Sequence, residues 1–119
     1  MIDSGGTFID IVGQMLGEFE QVVLLAVLGA GDDAYGIPVR DEIARRTRRR
    51  VSLGAVYKTL TRLEDKRLVT SRIGEPTARR GGRRTRCYVV TAAGQRALRA
   101  SLESVQRMTA GLDLGLEHS

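Results

Sequence analysis

Apolar residues recur every three to four positions from the start of the chain: Phe8, Ile11, Met15, Phe19, Val22 and Ala26 predict a first helix from Phe8 towards Leu28, with Gly13 and Gly17 as weak points. Val22, Val23, Leu24, Leu25, Val27 and Leu28 make its second half apolar all round, which predicts burial on two sides, one in its own core and one against a second subunit. Gly29-Ala30-Gly31-Asp32-Asp33 ends that helix. Tyr35-Gly36-Ile37-Pro38 starts another, where proline is tolerated only in the first turn. Val39, Ile43 and Ala44 give it one narrow apolar stripe, and it ends in Arg45-Arg46-Thr47-Arg48-Arg49-Arg50.

Val51 makes a short link, and Ser52 has the place of an N-cap for a third helix from Leu53 to about Lys66. Leu53, Val56, Leu60 and Leu63 form its predicted buried face, leaving Ala55, Lys58, Thr59, Arg62 and Lys66 on the other side. Two helices on a tight link, the second with a small and basic outer face, read as a helix-turn-helix. Residues 68–73 and 87–90 read as strands joined through a hairpin. Thr91 then caps a last helix, in which Leu98, Leu102, Val105, Thr109, Leu112 and Leu116 follow the period of a coiled-coil seam, with fraying expected beyond about Ala110.

The expected fold is thus α+β, mainly α: a winged helix-turn-helix with an added N-terminal helix and a C-terminal dimerisation helix. Residues 1–7 are read as a loose start, 8–91 as the winged domain with its N-terminal helix, and 92–119 as the dimerisation helix and tail.

Charge sharpens this picture. The chain has 119 residues and a net charge of +5, but the segment from Arg40 to Arg86 holds 16 basic and five acidic residues, while the remainder holds three basic and nine acidic. Segregation of this kind is the footprint of a polyanion-binding face. Of the 19 basic residues only Lys58 and Lys66 are lysines, a bias that favours bidentate phosphate and base contacts. A second arginine-rich stretch, Thr77 to Arg86, contains Gly81 and Gly82, whose backbone freedom suits a projecting hairpin tip; a solvated basic loop is the alternative.

Cys87 is the sole cysteine, so there is no intrachain disulfide, as expected of a reducing cytoplasm. It reads as a packed small residue, with a redox-sensing thiol left open. The longest apolar run, Val22 to Leu28, is far short of the roughly 20 residues that span a bilayer, and no membrane association is expected. His118 is the only histidine and no phosphate-cradling loop or metal-ligand cluster is present, so neither catalysis, a cofactor nor a metal is expected.

The motifs Phe19-Glu20, Ala34-Tyr35-Gly36, Ser52-Leu53-Gly54-Ala55-Val56-Tyr57, Leu60-Thr61-Arg62-Leu63-Glu64, Leu68-Val69, Gly81-Gly82-Arg83-Arg84 and Tyr88-Val89-Val90-Thr91-Ala92-Ala93-Gly94 stand in this order between about Leu16 and Leu98. Together they resemble the PadR family of transcriptional regulators in its short form. The resemblance implies a homodimeric DNA-binding repressor whose last helix packs against the partner's first helix. It places Tyr57 and Lys58 at the DNA surface, with Ser52 and Gly54 opening the recognition helix. Arg67 stands where the family usually has glycine, which predicts a less tight turn into the first strand. Some family members stack aromatic drugs between tryptophans; this chain has no tryptophan, so that pocket is not supported, and whether a small-molecule effector exists is left open.

The expected partner is therefore double-stranded DNA, met by Arg49, Arg50, Ser52, Gly54, Tyr57, Lys58, Thr61 and Arg62 from the helix-turn-helix and by Arg79, Arg80, Arg83 and Arg84 from the wing. Arg48, Arg49 and Arg50 suit phosphate clamping better than base reading, and Arg62 has a rival role as partner of Asp65. A homodimer through the N- and C-terminal helices completes the reading. Two rivals remain: a nonspecific nucleic-acid-binding protein, and a protein-interaction adaptor on a winged-helix scaffold.

Overall fold

Gly17 fixes where the first helix begins. In a computed structural model that describes residues 15–74 and 84–115, its backbone is extended (φ −69°, ψ 165°) and its N–H donates to Glu20 Oε1 at 2.9 Å. The Glu20 carboxylate thus reaches back over the first turn, as in one half of a capping box. Helix α1 accordingly spans Glu18–Ala30, not a run from Phe8: residues 15–17 are not helical, and the earlier part of the expected helix lies outside the described residues. Local capping by Glu20 has overridden a periodicity that continued through two glycines.

A short 3₁₀ turn (Gly31–Asp33) leads to helix α2, Gly36–Thr47, with Pro38 in its first turn, where a missing N–H costs nothing. Val39 and Ile43 are buried against α1, but Ala44 faces solvent, so the stripe is narrower than expected. Helix α3 spans Leu53–Asp65. Its buried face is Val56, Thr59, Leu60 and Leu63; Thr59 is covered rather than exposed, because α3 packs against α1, α2 and the hairpin together.

α3 ends in a turn tighter than the sequence suggested. Arg67 adopts φ 63°, its N–H donates to the Glu64 carbonyl, and the Leu68 N–H donates to the Leu63 carbonyl, both at 2.9 Å. These are the two bonds of a Schellman motif, made here with a non-glycine residue in the left-handed position. Strands β1 (Val69–Ile73) and β2 (Arg86–Val90) pair antiparallel, Val69 opposite Val90 and Ile73 opposite Arg86. The Tyr88 N–H donates to the Ala34 carbonyl at 2.9 Å, so the segment before α2 caps the free edge of β2, a pairing no periodicity had signalled.

Helix α4, Ala92–Thr109, starts at Thr91, whose Oγ1 accepts from the Gly94 N–H at 3.0 Å and donates to the Arg67 carbonyl at 2.9 Å. A Cβ on Gly94 would fall inside the contact distance of the Leu68 carbonyl oxygen, so glycine is what lets α4 approach the α3–β1 turn. The core is one cluster centred on Val23, Leu24, Val39, Ile43, Val56, Leu60, Leu63 and Val69, closed by Tyr88, Val90 and Leu98. Cys87 is buried. Among the described residues no helix is long and apolar enough to cross a membrane.

Candidate nucleic-acid interface

α3 is set in place by its cap and its core face. The Ser52 hydroxyl accepts the Ala55 N–H at 3.0 Å, which starts the helix, and three fully buried side chains, Val56, Leu60 and Leu63, fix its rotation. The opposite face then follows from 3.6 residues per turn. Gly54, Tyr57, Lys58, Thr61 and Arg62 lie at i, i+3, i+4, i+7 and i+8 and all five are exposed, so the expected residues do form one continuous stripe. Among the described residues Lys58 and Arg62 have no ion-pair partner, and the Arg62–Asp65 pair is not formed.

Tyr57 both packs and projects. It is 40% exposed, and a Cβ on Gly36 would collide with its phenol hydroxyl. The bare backbone at the start of α2 is thus the seat of the Tyr57 ring. This explains why a large aromatic side chain can stand on the outer face of α3 without being loose.

Lys66 leaves the stripe. It lies just past the last residue of α3, and its Nζ donates to Glu20 Oε2 at 2.9 Å, tying α3 to α1. Burial raises the Glu20 pKa, but the Lys66 hydrogen bond, the Gly17 N–H and the charges of Lys66 and Arg62 outweigh it and hold the carboxyl below its ordinary value. No sequence pattern pairs residues so far apart, although the Gly17–Glu20 spacing does signal the capping half of this arrangement.

The arginine run across the end of α2 divides into paired and unpaired groups. Arg45 and Arg46 each donate to Glu42 at 2.7 Å and keep its carboxyl below the usual range. Arg49 forks onto Glu18 at 2.8 and 3.2 Å with its guanidinium 5.9 Å from the Phe19 ring centroid, so this expected phosphate clamp is already held by an acid and an aromatic of α1. Arg48 and Arg50 are exposed and carry no ion pair among the described residues. Arg48 takes the left-handed position (φ 59°) that closes α2.

From the hairpin, Arg84 is described and exposed, whereas Arg79, Arg80 and Arg83, with Gly81 and Gly82, lie outside the described residues. Arg86 bonds to Ser71 rather than projecting freely. Burial pushes the Tyr88 phenol up, against a counter-pull from the nearby Arg86 charge. No cluster of three His, Cys, Asp or Glu side chains able to hold a metal occurs among the described residues.

Comparison with known proteins bears on the family and the fold. The family model for the PadR-like transcriptional regulators matches residues 24–100. No curated protein matches the chain. Among solved structures it is similar to a transcriptional regulator from Clostridium thermocellum, Cth-833 (TM-score 0.65, 22% identity, covering 92% of each chain). It is also similar to a PadR-like transcription factor from Bacteroides fragilis (TM-score 0.62, 22% identity, covering 87% of this chain and 95% of that one). A third likeness is to hsRosR-S4, solved in a complex (TM-score 0.60, 22% identity, covering 85% and 80%). These likenesses carry the fold.

Proposed function

Because this chain belongs to the PadR-like family of transcriptional regulators, we propose that it is a homodimeric, sequence-specific DNA-binding repressor acting in the cytoplasm, and we assign it no catalysis. The observation that carries the reading is the exposed Gly54–Arg62 stripe on a helix rigidly seated by Ser52, Val56, Leu60 and Leu63. An α-helix of this kind fits a major groove about 12 Å wide, where Lys58, Thr61 and Arg62 can meet base edges while Ser52 and Gly54 meet the backbone. Arg50 from the link and Arg79, Arg80, Arg83 and Arg84 from the wing contribute phosphate contacts and register.

Dimerisation is supported by apolar side chains left uncovered in one chain. Leu25 and Leu28 on α1 and Leu102, Val105 and Met108 on α4 are all exposed, and Leu28, Leu98 and Leu102 line a groove of about 520 Å³ between the two helices. Packing α4 of one protomer on α1 of its partner covers both faces and sets two α3 helices about 34 Å apart, one turn of B-DNA. An effector bound near that seam would act by rotating the winged halves and breaking the spacing.

Footprinting on the DNA upstream of the protein's own gene tests this. The reading expects two protected half-sites one helical turn apart and a dimer in solution; a single unbroken half-site, or a monomer at micromolar concentration, contradicts it.

A further inference from the structure

The hairpin is bolted to α3 by side chains as well as by its core face. Ser71, half-buried on β1, donates its hydroxyl to Glu64 Oε2 at 2.6 Å, and Arg86, the first residue of β2, donates Nη1 to Ser71 Oγ at 3.0 Å. The hydroxyl has one proton and spends it on the carboxylate, so its lone pair is what Arg86 meets; the chain Arg86→Ser71→Glu64 therefore has a single direction. An O–H bond of this length to a carboxylate is charge-assisted and directional.

The position of this chain matters more than its strength. Core packing holds the base of the hairpin through Leu68, Val69, Tyr88 and Val90, but Ile73, towards the tip, is 48% exposed. A two-stranded ribbon is twistable on its own. The register puts Ser71 opposite buried Tyr88 on the middle rung and Ile73 opposite Arg86 on the last, so Ser71 and Arg86 are diagonal neighbours that lead from the core-held part of the ribbon to its exposed end. Through Ser71 and Arg86, Glu64 ties that exposed end to the last turn of the helix whose other face carries Lys58 and Arg62.

We propose that Glu64, Ser71 and Arg86 are positioning residues that hold the hairpin at a fixed angle to α3, so that the wing arginines and the α3 stripe meet one duplex together. The proposal rests on the DNA-binding reading above. It makes Arg86 a strut, unlike its neighbours Arg83 and Arg84. A wing arginine on a braced ribbon reaches phosphate without first losing orientational freedom. On an unbraced ribbon it behaves as a tethered second site, and its contribution falls with its effective concentration.

The test measures affinity for a random-sequence duplex at fixed salt, for the full chain and for Ser71→Ala, Arg84→Ala and the double variant, with thermal unfolding of each. Arg84→Ala is expected to weaken binding roughly fivefold in the wild-type background and less than about twofold in the Ser71→Ala background, a coupling that independent sites do not show. Ser71→Thr, which keeps the hydroxyl, is expected to restore the full Arg84 dependence. An equal Arg84→Ala factor in both backgrounds, with or without a lowered melting temperature, overturns the proposal. So does a Ser71→Thr variant that has lost the dependence. Absence of duplex binding by the wild-type chain would instead remove the DNA-binding reading on which the proposal stands.

Discussion

Removing Lys66 should harm the protein more than neutralising its partner Glu20. The Glu20 side chain is 7% exposed and that of Lys66 28% exposed, so the two ends of this ion pair have different routes to water. Lys66→Met leaves a carboxylate buried with only the Gly17 N–H and the field of Arg62 to stabilise it. Stripping one partner from a fully buried pair costs about 3–5 kcal/mol. The Gly17 bond survives here and the site is not sealed, so ~2–3 kcal/mol is expected. Glu20→Gln keeps the volume and an acceptor for Gly17, and the ammonium it orphans can turn outward, so the cost is about 1 kcal/mol. The double variant Glu20→Gln/Lys66→Met should then be more stable than Lys66→Met alone.

Urea unfolding at one protomer concentration reads these differences, each kcal/mol appearing as about 3–6 °C in a parallel thermal melt. The pH dependence has a defined sign. The folded-state pKa of Glu20 lies below its ordinary value of 4.5, so the pair's stabilisation is present above that value and is lost as pH falls through the lower folded value. The deficit of Glu20→Gln should therefore be full at pH 7 and close on acidification. Equal costs for the two single variants, or a double variant no better than Lys66→Met, would refute the reasoning.

Three further outcomes follow from single positions. Gly94→Ala should destabilise by about 2–4 kcal/mol in urea unfolding, because the new methyl meets the Leu68 carbonyl and the Val90 side chain, and backbone cannot yield as a flexible side chain does. Arg67→Gly should stabilise by ~1 kcal/mol in the same assay, since glycine relieves the left-handed strain at φ 63° while both Schellman bonds remain. Glu18→Gln should tighten binding to random duplex about twofold to fivefold with a steeper salt dependence, because it releases the Arg49 fork for phosphate; unchanged affinity would mean that Arg49 is a strut only.

What was legible in the sequence was whatever a local rule decides. Ser52 and Thr91 are legible as N-caps from their residue type and their place before a helix, and both hydroxyls accept the backbone N–H three residues on. Helical period gives Val56, Leu60 and Leu63 as buried and Lys58 and Arg62 as exposed, while Tyr57 at the surface comes from the family resemblance. Failures came where a distant element intervened. Thr59 is buried because α3 has neighbours on several sides, and Lys66 is recruited by a glutamate 46 positions earlier. Arg49 looked like a free phosphate clamp because nothing in its own segment reveals Glu18 and Phe19. The start of α1 was misplaced for a different reason: apolar periodicity carries on through Gly17, while the carboxylate that stops it is a single side chain, Glu20.

The most direct test of the central claim is the ratio of affinities for the footprinted upstream duplex and a random duplex at one fixed salt concentration, measured for the wild-type chain and for Lys58→Ala/Arg62→Ala. A specific regulator reading bases with α3 predicts a wild-type ratio of roughly 10³ or more, falling by about 1–3 kcal/mol for each lost base contact while random-duplex binding changes far less. A wild-type ratio near one, or a ratio untouched by the double substitution, would contradict it.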